Sequence, residues 1–217
     1  MNSETILLIL EWIGTISFAT SGALVAIRHS LDLFGVITVG TITAVGGGII
    51  RDVMIGNVPP KIFSNPLILL VAFVMSVAAF IIAYVCRKNF DKMKEKIDAV
   101  NILFDALGLG AFSIAGVEAT HIALPDKNIL LIVLMGVITG VGGGVIRDVL
   151  VNEKPYILTK HIYAVVSVCA CCIYCLLSIY LHQTLLATVL VLCFTVVMRL
   201  SAAKHRWKLP RISFEDN

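Results

Sequence analysis

Long apolar runs separated by short polar segments organise this chain. Seven of them are long enough, or nearly so, for the roughly 20 residues that cross a hydrocarbon core. They fall at about residues 6–27, 34–55, 66–86, 100–123, 129–151, 162–180 and 185–200. The last two share a stretch from Lys160 to Arg199 with no Asp, Glu, Lys or Arg between its ends. That stretch is too long for one span, and His182-Gln183 supplies the turn. Arg28-His29 close the first run, and Pro59-Pro60 force an extended turn after the second. Pro125-Asp126 turn the chain after the fourth. The pattern predicts an all-α integral membrane protein with seven transmembrane helices.

The pattern is also written twice. Residues 44–59 read AVGGGIIRDVMIGNVP, and residues 140–155 read GVGGGVIRDVLVNEKP. Gly46, Gly47, Gly48, Arg51, Asp52 and Pro59 each recur 96 positions later, as Gly142, Gly143, Gly144, Arg147, Asp148 and Pro155. Upstream, Glu11, Gly14, Phe18 and Gly22 recur 94 positions later as Asp105, Gly108, Phe112 and Gly116. An internal repeat of this length outranks local signals in fold reasoning. It divides the chain into a first three-helix repeat (1–86), a basic linker (87–99), a second three-helix repeat (100–180), and a seventh helix with its tail (181–217). Three spans per repeat is an odd number, so the second copy crosses the membrane inverted.

Composition and charge agree with this division. The chain is 59% hydrophobic and 14% charged, with a mean hydropathy of +0.96, which excludes an ordinary soluble domain. The net charge of +3 resides in loops and the C-terminal tail, a membrane-topology pattern that argues against nucleic acid as a partner. Arg87, Lys88, Lys92, Lys94 and Lys96 follow span 3; Lys154 and Lys160 follow span 5; Lys204, Arg206, Lys208 and Arg211 follow span 7. The opposite loops hold only Lys61 and Lys127. The excess places the linker and C-terminus in the cytoplasm and the N-terminus outside. The N-terminal run lacks the basic start of a cleaved leader and reads as a true span.

Candidate chemistry concentrates at the repeated string. Three consecutive glycines cost a helix about 1 kcal/mol each relative to alanine. One reading is a broken helix whose freed carbonyls meet a permeating solute; the other is close helix packing through small residues. Arg51-Asp52 and Arg147-Asp148 are either gate charges or structural pairs near span ends. Asp105 and Glu118 are candidate cavity acids in span 4, Glu118 one turn before His121; Glu11, like Asp105, can also be an acid favoured at a helix start. Cys169, Cys171, Cys172 and Cys175 in span 6 read as small polarizable packing residues, and no metal or cofactor is expected. No Ser-His-Asp or Cys-His constellation suggests an enzyme, and the glycine string lacks the Lys-Ser/Thr and strand context of a phosphate loop.

Two three-span repeats, each carrying GGGxxRD, followed by a seventh span, resemble the bacterial branch of the trimeric intracellular cation channel family. Its repeat domain is also described as a glycine transporter domain. The likeness runs from Glu11 to Pro210. It implies a homotrimer in the bacterial inner membrane, in contact with lipids. It implies one pore per protomer, lined by kinked spans 2 and 5 at Gly46–Gly48 and Gly142–Gly144. It implies permeation by K+, with Na+ as a second ion. The Lys-Glu-Val motif of animal members is missing, so their lipid regulation does not carry over. From the residues alone a carrier for a small zwitterion such as glycine is the alternative, since inverted repeats suit alternating access. A lipid-binding scaffold is a third reading. The expected path runs between spans 2 and 5 near the bilayer midplane, with each Arg paired at opposite mouths.

Overall fold

The computed structural model describes residues 3–87, 94–125, 128–159 and 162–207, so Lys88, Lys92, Lys127, Lys160, Lys208 and Arg211 lie outside the described residues. The described chain folds into α1 (Ser3–Arg28), α2 (Leu33–Met54), α3 (Pro66–Val85), α4 (Lys94–Ala123), α5 (Ile129–Leu150), the short α6 (Tyr156–Thr159), α7 (Tyr163–Tyr174) and α8 (Thr184–Lys204). A 3-10 turn, Lys61–Phe63, precedes α3, and α7 runs on as a π-helical segment, Cys175–Tyr180. Seven helices, α6 excepted, are long and apolar enough to cross a membrane.

Local signals account for the ends. Asp32 caps α2 by accepting from the Gly35 amide at 2.7 Å, and Asn128 caps α5 by accepting from Leu130 at 2.9 Å. Pro66 opens α3 at a position whose amide would lack an intrahelical partner. α4 begins at Lys94, six residues before the apolar run, because its Lys, Glu, Ile and Asp residues include no helix breaker.

The two repeats are interleaved about an internal two-fold axis. α1 packs on α4, and α2 packs on α5. The contacts are reciprocal: the Phe112 ring lies against Gly14, and the Phe18 ring against Gly108. The two rings meet on the axis with centroids 5.3 Å apart. Thr43 fills the face of Gly22, and Thr139 fills the face of Gly116. Lipid tails are as apolar as leucine, so helix association here rests on close van der Waals fit, which small residues permit. α4 is the central helix, 72% of its span being buried, whereas α3 is peripheral at 17%. α8 has no counterpart in the first repeat. It buries one face, Ala187, Val191, Thr195, Arg199 and Ala202, and leans on α4 where Gly110 admits Leu192 and Thr195.

The interrupted-helix expectation is corrected. Both α2 and α5 remain helical through their glycine triplets. The triplets mark the α2–α5 crossing instead. A side chain on Gly47 would collide with the Thr139 carbonyl oxygen, and one on Gly143 with that of Thr43. A Cβ on Gly142 would lie 3.1 Å from the Gly47 Cα. The propensity cost is offset by backbone-to-backbone contact that any larger residue would prevent.

Candidate functional site

Each repeat ends its second helix with the same charged bracket. In the first, Arg51 donates to Asp52 Oδ1 through Nε at 2.9 Å and Nη2 at 2.8 Å. Asp52 Oδ2 accepts from the backbone amide of Lys61 at 2.9 Å. In the second, Arg147 Nε donates to Asp148 Oδ1 at 2.9 Å, and the Tyr156 amide donates to Asp148 Oδ2 at 2.8 Å. The turns match as well, since Gly56 and Asn152, the equivalent residues, both have positive φ (79° and 58°). Asp52 and Asp148 therefore tie the helix end to the start of the next helical turn. This explains the Arg-Asp order: the Arg points inward to its own neighbour, and the Asp reaches across the loop.

The brackets lie at opposite ends of the molecule and in different surroundings. Arg51 and Asp52 border a cavity of about 280 Å³ that also touches Glu11, Thr15, Gly48, Lys61, Asn65, Phe112 and Thr139. Glu11 is half-buried there. Arg147 is fully buried and heavily bonded. Its Nη1 donates to Asp105 Oδ1 at 2.7 Å and to Ser21 Oγ at 2.9 Å, and Ser21 donates to Asn101 at 2.9 Å. Arg199 of α8 approaches Asp105 Oδ2 at 3.6 Å and stacks over the Tyr163 ring at 4.3 Å. Repeat symmetry maps Glu11, Gly48, Arg51 and Asp52 onto Asp105, Gly144, Arg147 and Asp148. The first set faces a cavity; the second is packed with charge and aromatic side chains.

The structure brings most sequence candidates together. Gly46, Gly47, Gly142 and Gly143 pack at the α2–α5 crossing, whereas Gly48 faces Arg51 and Gly144 faces Tyr163 and Arg147. Asp105 joins Arg147 and Asp148. Glu118 stands apart: it is buried between α4 and α7, where Tyr174 donates to its Oε2 at 3.0 Å. Cys171 and Cys175 are buried in that same apolar core, whereas Cys169 and Cys172 are exposed. Among the described residues no three His, Cys, Asp or Glu side chains cluster to hold a metal ion. Sequence reasoning passed over Ser21, Asn101, Tyr163 and Arg199. For Arg199 a signal existed, because it continues the four-residue spacing of the buried stripe from Ala187.

A family described as glycine transporter matches the chain over residues 8–84 and 102–179. The UPF0126 inner membrane protein YadS of Escherichia coli K12 is 36% identical, over 96% of this chain and 97% of its own. A structure solved for "Structural basis for conductance through TRIC cation channels" is 35% identical, with a TM-score of 0.80, over 96% of this chain and 98% of its own. The TRIC trimeric intracellular cation channel orthologue from Rhodobacter sphaeroides is 27% identical with a TM-score of 0.82, over 93% of this chain and 99% of its own.

Proposed function

From the premise that this chain belongs to the glycine transporter family, a multi-pass membrane family whose solved members include TRIC cation channels, we propose that it conducts monovalent cations, K+ and also Na+, through a path within each protomer. The observation that carries this reading is the cavity at the Arg51 mouth. It is lined by charged Glu11, Arg51, Asp52 and Lys61 together with Phe112 and Thr139, the last of which packs on Gly47 at the α2–α5 crossing. Conduction on this reading requires the path to continue through that crossing, where Gly47, Gly142 and Gly143 bring the α2 and α5 backbones into contact and where the two helices would have to part, and to leave at the Arg147 end. Arg51 does not repel a cation at the rim by itself, since Asp52 neutralises it at 2.8 Å and Glu11 faces the same space. Arg147 is neutralised likewise by Asp105 and Asp148. The protomers associate as a trimer, with the N-terminus outside and the C-terminus in the cytoplasm, so that the Arg51 mouth is external.

A second reading is favoured by the one-sided cavity. Glu11 and Arg51 border a space small enough for glycine, with an acid for its ammonium and a guanidinium for its carboxylate. Reconstitution into bilayers separates the two. Unitary currents in KCl on both sides of neutral voltage are expected. Saturable glycine uptake without unitary currents overturns the channel and establishes the carrier.

A further inference from the structure

The buried charges of the bundle nearly cancel, and the remainder falls on one side chain. Among the described residues three arginines are buried, Arg51, Arg147 and Arg199, against four acids, Asp52, Asp105, Asp148 and Glu118. The arginines meet the three aspartates. Glu118 meets none of them. It is 4% exposed, and among the described residues its polar partner is the Tyr174 hydroxyl, which donates to Oε2 at 3.0 Å. The core around it takes Ile6 and Leu10 from α1, Ile132 from α5, Cys171 and Cys175 from α7 and its π-helical run, and Ala187 and Val191 from α8, none of them cationic. On its own helix His121 lies one turn on, with Nδ1 buried and without a partner among the described residues. The repeat does not call for an acid here, since the counterpart 94 positions earlier is Leu24.

We propose that Glu118 is a proton-binding site inside the second repeat, which takes its proton from water at the α7–α8 turn and returns it there. A carboxylate with no cation beside it is costly in an apolar interior, and a bound proton removes that cost. The proton also supplies the one positive charge that brings the buried charges to balance. A larger cation does not fit. The Arg51 cavity and the two apolar grooves along α3 do not border Glu118, and among the described residues no group of His, Cys, Asp or Glu is arranged to hold a metal ion. Hydroxyls mark the route. The Tyr174 hydroxyl lies beside those of Ser178 and Thr188, and Ser178 donates to Thr184 Oγ1 at 3.2 Å. Thr184 opens α8 directly after the exposed His182 and Gln183. A hydroxyl both donates and accepts, so a proton passes along them with only O–H bonds exchanged. Tyr174 is also where α7 gives way to the π-helical segment, a distortion frequent at functional sites. Release of the proton leaves an anion that needs water, so α4 and α7 must part locally, where Cys175 is buried beside Glu118. The site holds for a channel and for a carrier alike.

Infrared spectra of the full-length protein in liposomes at neutral pH read the carboxyl directly. Between the parent and Glu118→Gln, the expected difference is the loss of one C=O band of a protonated acid, with the carboxylate bands unchanged. Tyr174→Phe is expected to shift that same band, because it removes the hydrogen bond, and it serves on its own if the Gln variant does not fold. In alkaline solution the band is expected to vanish from the parent. Labelling of Cys175, read by mass spectrometry of its peptide, is then expected to rise several-fold more in the parent than in Glu118→Gln, which corrects for the ordinary effect of pH on thiols. Loss of carboxylate intensity in Glu118→Gln, or a band that neither variant changes, overturns the site. Equal Cys175 labelling in parent and Glu118→Gln under alkaline conditions overturns the release of the proton. A protein that shows the band and the labelling but passes neither cations nor glycine upholds the site and overturns the transport reading instead.

Discussion

At the scale of single residues, the two Asp side chains of the repeated string do the same bonding in unequal places. Asp148 neutralises a guanidinium that has no exposed surface, and Asp52 neutralises one bordering a cavity of about 280 Å³. Removing one partner of a buried pair costs about 3–5 kcal/mol because the other charge is left uncompensated. Arg147 retains Asp105 when Asp148 is lost, so Asp148→Asn is expected at the lower end of that range. Asp52→Asn is expected to cost about 1–2 kcal/mol, since Arg51 can draw hydration from the cavity. Thermal unfolding of the two variants in the same detergent checks this; equal losses would mean that Arg51 is as dry as Arg147. The pairing of these residues was legible as Arg next to Asp near a span end. That Asp52 and Asp148 also hold the amides of Lys61 and Tyr156 was not, because it depends on a loop folding back across eight or nine positions.

At the scale of elements, α2 and α5 touch backbone to backbone because their glycines carry no side chain, and the proposed path requires that contact to part. Gly143→Leu places four carbon atoms where the Thr43 carbonyl oxygen now stands. It is expected to abolish conduction and, because it forces the two backbones apart at their crossing, to lower the thermal stability of the protein as well. Unitary currents together with thermal unfolding measure both; wild-type currents from an assembled Gly143→Leu protein would make the triplets packing devices only. Composition announced a special segment here, because three glycines inside an apolar run are costly. It misled about the form, since a helix whose hydrogen bonds cannot be replaced by water in a bilayer stays helical even through poor helix formers. Apolarity marks where a span begins, and a helix has no need to stop there, so α4 extends from Lys94, ahead of the apolar run at about residue 100.

At the scale of the whole molecule, the described surface is apolar along α3 and α8, with Ile81, Ile82, Val85, Val189 and Val197 all more than half exposed. Such faces belong against lipid or neighbouring protomers. In mild detergent the protein is expected at three times its 23.5 kDa chain mass, net of detergent; a monomer at every concentration would contradict the trimer. The proposed orientation rests on the charge of the loops. A cysteine placed at Lys92 is expected to react with impermeant reagent only after the cells are opened, and reaction in intact cells would reverse the topology.

The sequence alone determined that the chain is a membrane bundle, that it has seven spans, and that two three-span units repeat. Apolar length and residue identity at a constant offset are one-dimensional properties, readable without knowing what touches what. It also determined which residues recur, and so where symmetry-related chemistry had to lie. Tertiary structure decided the rest. It set Gly47 against the Thr139 carbonyl, joined Ser21, Asp105, Arg147 and Arg199 from four different helices, and left Glu118 with Tyr174. It also broke the equivalence of the two charged ends. The repeat makes Glu11 and Asp105 counterparts, and only the docking of an unrepeated helix gives one of them an arginine and leaves the other beside a cavity.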